Sequence, residues 1–537
     1  MPTHTSYAKK SVLIVDDMPN MRNMLRMQVA NLGITKIHLA ANPKAALEFL
    51  ARSSYDIILC DYFMGEGVNG QQFLEYLRSH SLISRHTLFI MVTAEKSYET
   101  VVTVAENLPD DFLLKPFNSE TFRLRIERLI EKKERLAVVD EMQDAKRWQN
   151  VIKECDGIIA AKDKFLIDAL RIKGNALLAT QRFEEAAEFY RQALSMRAMP
   201  WAKLGLSKAS AGLGKTDEAD QVLRDIINEN PQFMAAYDLL SHSLMKEGNT
   251  QEALKILSQA STVSPYSINR HRTIASVAES ISDFDTVERS MNAVIVATKN
   301  SPLRESADFA RLGNALTEKG DSAGALTILK EAKKQFNGPN DHAMLAAVEC
   351  VAHQRAGNSE KAKEALDQAM QGSVGQVSEG LSLVLAKACL ATGDQERGEA
   401  LLRQVVQNNP DSAAAKDQVI AIMQRDGDPD RAHALVELSV KEIIALNNEA
   451  VRKGQAGELE EAARILSEAA EKLPGNAQIV ANAAYALLVR ILVKGKDEDL
   501  LQRALGYTQA LQNSSPNHPK LAQISDTLIK VREKYGA

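Results

Sequence analysis

Two hydrophobic periods divide the chain. Up to about residue 130, short continuous apolar runs alternate with amphipathic helical stretches. The runs are Ser11–Asp17, Lys36–Ala41, Tyr55–Met64, Thr87–Thr93 and Asp111–Lys115. Unbroken Val, Ile, Leu and Phe stretches predict strands buried on both faces, as in a parallel sheet. Helical segments such as Asn20–Leu32 and Gln71–Ser79 lie between them. Five strands and five helices in about 120 residues predict an α/β doubly wound, five-stranded parallel sheet. Sites in such sheets form at the carboxyl ends of the strands.

From about residue 148 the strand pattern vanishes. Ala and Leu recur at three- and four-residue spacing, broken by short turns with Gly, Asn or Asp, and a period near 34 residues emerges. Between the two regions lies Glu120–Arg147, with seven acids, eight bases and no Gly or Pro. It reads as a long last helix of the first domain with a solvated face. Phe122, Leu129 and Leu136 fall seven apart, as in a dimerising coiled coil. That seam fails at Lys133 and Asp140. The expected organisation is a domain at 8–135, a linker helix at 136–166 and a helical array at 167–537.

A chain of 537 residues exceeds what one core usually supports. Charged residues make up 25% and hydrophobic residues 45%, the balance of a folded protein. A net charge of −5 argues against nucleic acid as a partner. Cys60, Cys155, Cys350 and Cys389 are far apart and show no metal-ligand spacing, which suits a reducing cytoplasm. The first residues lack the apolar region and cleavage site of a signal peptide. The stretch Ala483–Val493 contains Arg490 and is short for a membrane span. A cytoplasmic protein without a membrane span is expected.

Three acids stand at strand ends: Asp16 and Asp17 after the first, Asp61 after the third. With those strands adjacent, the carboxylates would converge. Such a cluster repels itself unless a hard cation sits among them, and Mg²⁺ favours oxygen ligands of this kind. Thr93 ends the fourth strand with a hydroxyl, and Lys115 ends the fifth with a mobile positive charge. Together these groups suit phosphoryl transfer onto Asp61. Singly, an acidic pair is more often a helix cap and a Lys-Pro step a common loop. The set points further than its members, because all five occupy successive strand ends.

The stretches LIVDD (13–17), ILCDYFM (58–64), VTAE (92–95) and LLKPF (113–117) make residues 8–135 resemble the receiver domain of two-component response regulators. The resemblance implies a flavodoxin-like fold with Asp61 as phosphoacceptor. It implies Mg²⁺ bound by Asp17, by Asp16 largely through water, by Asp61 and by the backbone carbonyl of Phe63. Thr93 would hydrogen-bond the phosphoryl group and Lys115 would pair with it. Thr93 and Phe112 would form the switch, although Phe112 also reads as a plain core residue. A sensor histidine kinase or phosphotransfer protein would be the donor. The chain departs from the family where Met64 is followed by Gly65 rather than Pro, and the loop Gly65–Gly70 reads one residue long. The Phe63 side chain could shield an acyl phosphate from water, so slow self-dephosphorylation is expected.

In the second region Leu170, Gly174, Leu177, Ala186, Tyr190 and Ala193 set a template. It recurs as Phe309, Leu312, Gly313, Leu316, Ala325, Leu329 and Ala332, and again from Tyr237 to Pro265. Turn glycines stand at 214, 248, 320, 357, 393, 427 and 457. The region resembles the tetratricopeptide repeats, helix–turn–helix units of about 34 residues. Residues 167–198, 234–265, 306–337 and 443–474 match best, and 267–300 and 476–519 match poorly. The resemblance implies about nine or ten units in an all-α superhelix with a concave peptide-binding groove. Lys173, Asn175, His242, Asn314, Asn447 and Asn448 are candidate groove residues; each singly also reads as a solvent-facing helix position.

Phosphate-loop, dinucleotide-fold, hydrolase-elbow and zinc-protease motifs are all missing, so an enzyme is not expected. The expected function is a signalling adaptor. Phosphorylation of Asp61 would govern binding of a protein partner by the repeats. One alternative is a phosphorylation-independent scaffold, with the receiver as docking or homodimerising module. Another is a phosphate sink, for which the array would be superfluous.

Overall fold

The computed structural model describes residues 7–65, 69–94, 109–197, 199–265, 267–299, 301–373, 377–424, 429–515 and 518–535. The strands are β1 (Ser11–Val15), β2 (Lys36–Ala40), β3 (Ile57–Asp61), β4 (Leu88–Thr93) and β5 (Asp111–Leu114). They pair in parallel in the order β2-β1-β3-β4-β5. Every residue of β1, β3 and β4 is buried, which is why these runs carry no polar alternation. The sheet faces build two cores. Val12, Ile14, Leu59 and Val92 pack with Leu25 and Ile126; Leu13, Ile58, Phe89 and Met91 pack with Phe73 and Leu77.

Helices α1 (Pro19–Asn31), α2 (Pro43–Leu50) and α3 (Gly70–Ser79) cross between strands. The fourth of the five expected helices falls within 95–108, outside the described residues. The last helix, α4, runs unbroken from Ser119 to Asp144, with Asn118 accepting from the Thr121 N–H at its start. Its first half supplies Phe122, Ile126, Leu129 and Ile130 to the sheet. Its second half supplies Leu136 and Val139 to a different core, with Val151, Cys155, Leu177 and Tyr190 of the helical array. Phe122, Leu129 and Leu136 are therefore buried inside this chain, in keeping with the long last helix rather than the coiled-coil alternative.

The chain packs as two units, Met1–Asp308 and Phe309–Ala537. In the first, Tyr190 sits where two helices come close. A Cβ added at Gly174 would stand 2.5 Å from its hydroxyl oxygen, and one at Gly205 would stand 2.1 Å from its ring. In the second, Gly313 lies against Leu329 in the same way, at 3.0 Å. The turn glycines at 214, 248, 320, 357, 393 and 457 all take positive φ between 75° and 89°, where a side chain is strained. Gly427 lies outside the described residues. Gln181 and Ser282 adopt that conformation at the same point of their repeats without glycine. Segment 267–300 thus remains a helix pair, Ile268–Ser280 with Phe284–Ala297, despite its poor match.

The apolar stretch near residue 483 is part of a longer helix, Ala477–Lys494, of 18 residues. By length and composition it could cross a membrane, with a mean hydropathy of 1.4. Its residues Ile479, Ala483, Leu487 and Ile491 are buried with Leu501, Leu511 and Ile524, so core packing accounts for its composition.

Candidate functional site

The register of the sheet brings β1 and β3 side by side, pairing Val15 with Cys60. The acids that follow are consequently neighbours. One carboxylate oxygen from each of Asp16, Asp17 and Asp61 lies within 4.8 Å of the others. Asp16 and Asp61 are buried and Asp17 is exposed, so the cluster opens to solvent on one side. The Met18 N–H donates to Asp16 Oδ1 at 2.8 Å, and the Tyr62 N–H donates to Asp61 Oδ1 at 2.9 Å. Lys115 Nζ reaches Asp61 Oδ1 at 3.0 Å and Asp16 Oδ2 at 3.3 Å. Thr93 is fully buried at the end of β4, and its carbonyl accepts from the Lys115 N–H at 2.6 Å.

Burial is the main electrostatic fact. It raises the Asp61 carboxyl to about 6; Lys115 opposes the rise, and Asp16 adds to it. One ammonium among three carboxylates leaves the pocket negative. The donor set is oxygen only, which fits a hard divalent cation. Cys60, beside Asp61, is fully buried, and burial pushes its thiol well up, so it is a core residue as expected.

Phe63 is 54% exposed, with its ring edge-on to the buried Tyr62 ring at 4.7 Å. It stands on the rim of the site rather than in the core. Phe112 is half-buried beside Met91, packed against the core under α3. Three contributors escaped the sequence reading. Arg22 Nη1 donates to the Asp16 carbonyl at 2.6 Å. Asn69 caps α3 and donates to the Tyr62 hydroxyl at 3.0 Å. Gly70 donates its N–H to the Tyr62 carbonyl at 2.8 Å, and a Cβ there would stand 2.4 Å from the Asp61 carbonyl. The last two had sequence signals, Asn69 with Gln72 three residues on as a helix cap and a glycine at the start of that helix.

Residues 12–127 match the response regulator receiver domain family. The N-terminal domain is a response regulator receiver. Relatives with the same domain include the chemotaxis protein CheY of Pseudomonas aeruginosa, 28% identical over 121 residues, covering 22% of this chain and 96% of that protein. CheY-3 of Vibrio cholerae is 26% identical, covering 22% and 92%. The regulatory protein AtoC of Escherichia coli is 30% identical over 145 residues, 26% of this chain and 30% of AtoC. Among solved structures, a Francisella response regulator receiver domain covers 23% of this chain and 98% of its own, at 26% identity and a TM-score of 0.21. Behind the receiver, residues 177–242 and 381–404 match tetratricopeptide repeats. A tetratricopeptide repeat protein from Parabacteroides merdae covers 48% of this chain and 98% of its own, at 15% identity and a TM-score of 0.28.

The expected groove residues of the repeats differ in their surroundings. Lys173 is paired with Asp156 at 2.6 Å and lies over the Phe189 ring, and Asn447 accepts a hydrogen bond from Asn482. Asn314 is half-buried. Asn175, His242 and Asn448 are exposed.

Proposed function

We propose that the receiver accepts a phosphoryl group on Asp61 from a sensor histidine kinase or phosphotransfer protein, and that the repeats bind a regulatory protein according to that state. The observation that supports this reading is the convergence of Asp16, Asp17, Asp61 and Lys115 at the strand ends of a receiver fold. An Asp61 carboxylate oxygen attacks phosphorus. The donor's phosphorus–nitrogen bond breaks, and the imidazole nitrogen keeps its electron pair. Asp16, Asp17, Asp61 and the Phe63 carbonyl would hold Mg²⁺, which when bound neutralises charge on the phosphoryl oxygens. Lys115, already within reach of Asp61, pairs with the incoming oxygens. Thr93 donates its hydroxyl to them and turns inward, and Phe112 follows. Such a protein is a signalling adaptor of the cytoplasm, with residues 8–135 as receiver, 136–166 as linker helix and 167–537 as output.

Incubation with a labelled small acyl phosphate and Mg²⁺ tests the reading. The wild-type chain should label and Asp61→Asn should not. Equal labelling of both would move the phosphoacceptor elsewhere.

A further inference from the structure

The outer face of α3 is not left to solvent. Asn269, on the repeat helix Ile268–Ser280, donates a hydrogen bond to Glu75 at the middle of α3. Leu303, from the segment before the next repeat helix, packs against the receiver core that contains Phe73, Leu74 and Leu77. Arg272 fixes that segment, donating to the Leu303 carbonyl at 2.9 Å and to Asp308 at 2.7 Å, and pairing with Glu305 at 2.8 Å. Burial pushes the Glu75 carboxyl above its usual range, against the Asn269 bond and the nearby Arg270 charge. A polar clasp and an apolar plug thus tie one receiver helix to one part of the array.

The other end of α3 reaches the acidic site. Gly70, its first residue, is clamped between the Asp61 carbonyl and Met91, with no room for a methyl group at either. Asn69 and Gln72 close a reciprocal cap there, and Asn69 also holds Tyr62. A helix of ten residues held at its first turn and at its middle has little slack. Movement of Asp61 therefore displaces α3 and what is fastened to it.

We propose that α3 is the strut through which the state of the Asp61 site and the docking of Ile268–Ser280 and Leu303 are coupled. This rests on the reading of Asp61 as phosphoacceptor. It differs from the expected route, through Thr93 and Phe112, in naming α3, the helix between β3 and β4, and its partner in this chain. Coupling is reciprocal: loosening the clasp must alter how the site binds a phosphoryl mimic.

The experiment uses the full chain and its Glu75→Arg variant, which sets a third guanidinium against Arg270 and Arg272. Hydrogen exchange across Ile268–Ser280 reports the clasp. Titration with beryllofluoride and Mg²⁺ reports the site. The expected result is faster exchange in Glu75→Arg together with a change of about fivefold or more in beryllofluoride affinity. Glu75→Gln, which still accepts from Asn269, should stay near wild type in both. Unchanged exchange in Glu75→Arg would show that Glu75 holds nothing and overturn the strut. Faster exchange with unaltered affinity would overturn the coupling while leaving the phosphoacceptor reading intact. Failure of the wild-type chain to bind beryllofluoride would overturn that reading and the coupling with it.

Discussion

Asp61 and Tyr190 are both buried, at 7% and 1% exposure, and both belong to the motif of their region. Their neighbourhoods differ in kind. Asp61 is ringed by a lysine, two more carboxylates and backbone N–H groups, and burial holds its carboxyl near 6. Tyr190 is ringed by glycines, alanines and the Trp201 indole, and its burial fills a gap between helices. The receiver motif gathers groups that are costly to bury, a cost found where sites do chemistry. The repeat motif gathers mostly apolar groups whose burial is favourable. A match to the first therefore locates a site, whereas a match to the second locates only a scaffold.

That contrast can be broken by substitution. The largest effect expected is at Asp61: Asp61→Asn should lose all phosphoryl labelling, while circular dichroism and the thermal midpoint stay close to wild type. Lys115→Ala should slow labelling by about a hundredfold, the loss typical of one charge-stabilising donor, and a rapid-quench time course reads it. Tyr190→Ala should do the reverse. It should destabilise the first unit by about 3–5 kcal/mol in urea unfolding and leave labelling of the folded protein unchanged. Gly214→Ala, at a φ of 75°, should cost about 1–2 kcal/mol in the same assay. A labelling defect in either repeat variant would contradict the division of labour.

The smallest effect concerns the thiols. Burial pushes Cys155 and Cys350 up to about 12 and Cys389 up to about 11. They should resist alkylation at pH 8 until the chain unfolds. Because the folded values lie above the unfolded value of about 9, their contribution to stability is complete below pH 9. It declines as pH rises through 11 to 12, and the unfolding midpoint against pH would show it.

The strand ends were readable because their evidence is local. Each acid, Thr93 and Lys115 directly follows an apolar run, and parallel pairing leaves few ways to arrange the runs. What was missed depends on distant residues. Glu75 and Asn269 are 194 positions apart, and nothing near either one marks the other. Lys173 and Asn447 read as open groove positions, yet Asp156 and Asn482 occupy them from neighbouring helices. Gln181 and Ser282 take positive φ without glycine, so the turns of units 167–198 and 267–300 lack the glycine that marks the others. The heptad spacing in α4 was real, but two cores of one chain satisfy it in turn.

Helix α4 carries a consequence for how such a protein can be taken apart. Because it crosses from the sheet to the repeats without a break, there is no seam at which to cut. A receiver fragment ending at residue 135 would stop in mid-helix, one residue short of Leu136. An array fragment beginning after Asp144 would leave Val151 and Cys155 facing water where Leu136 and Val139 had lain. Exchange of receivers between proteins of this design would have to carry the whole helix and its phase. A graft one residue out of step would turn the second half by about 100° and present the wrong side to the repeats.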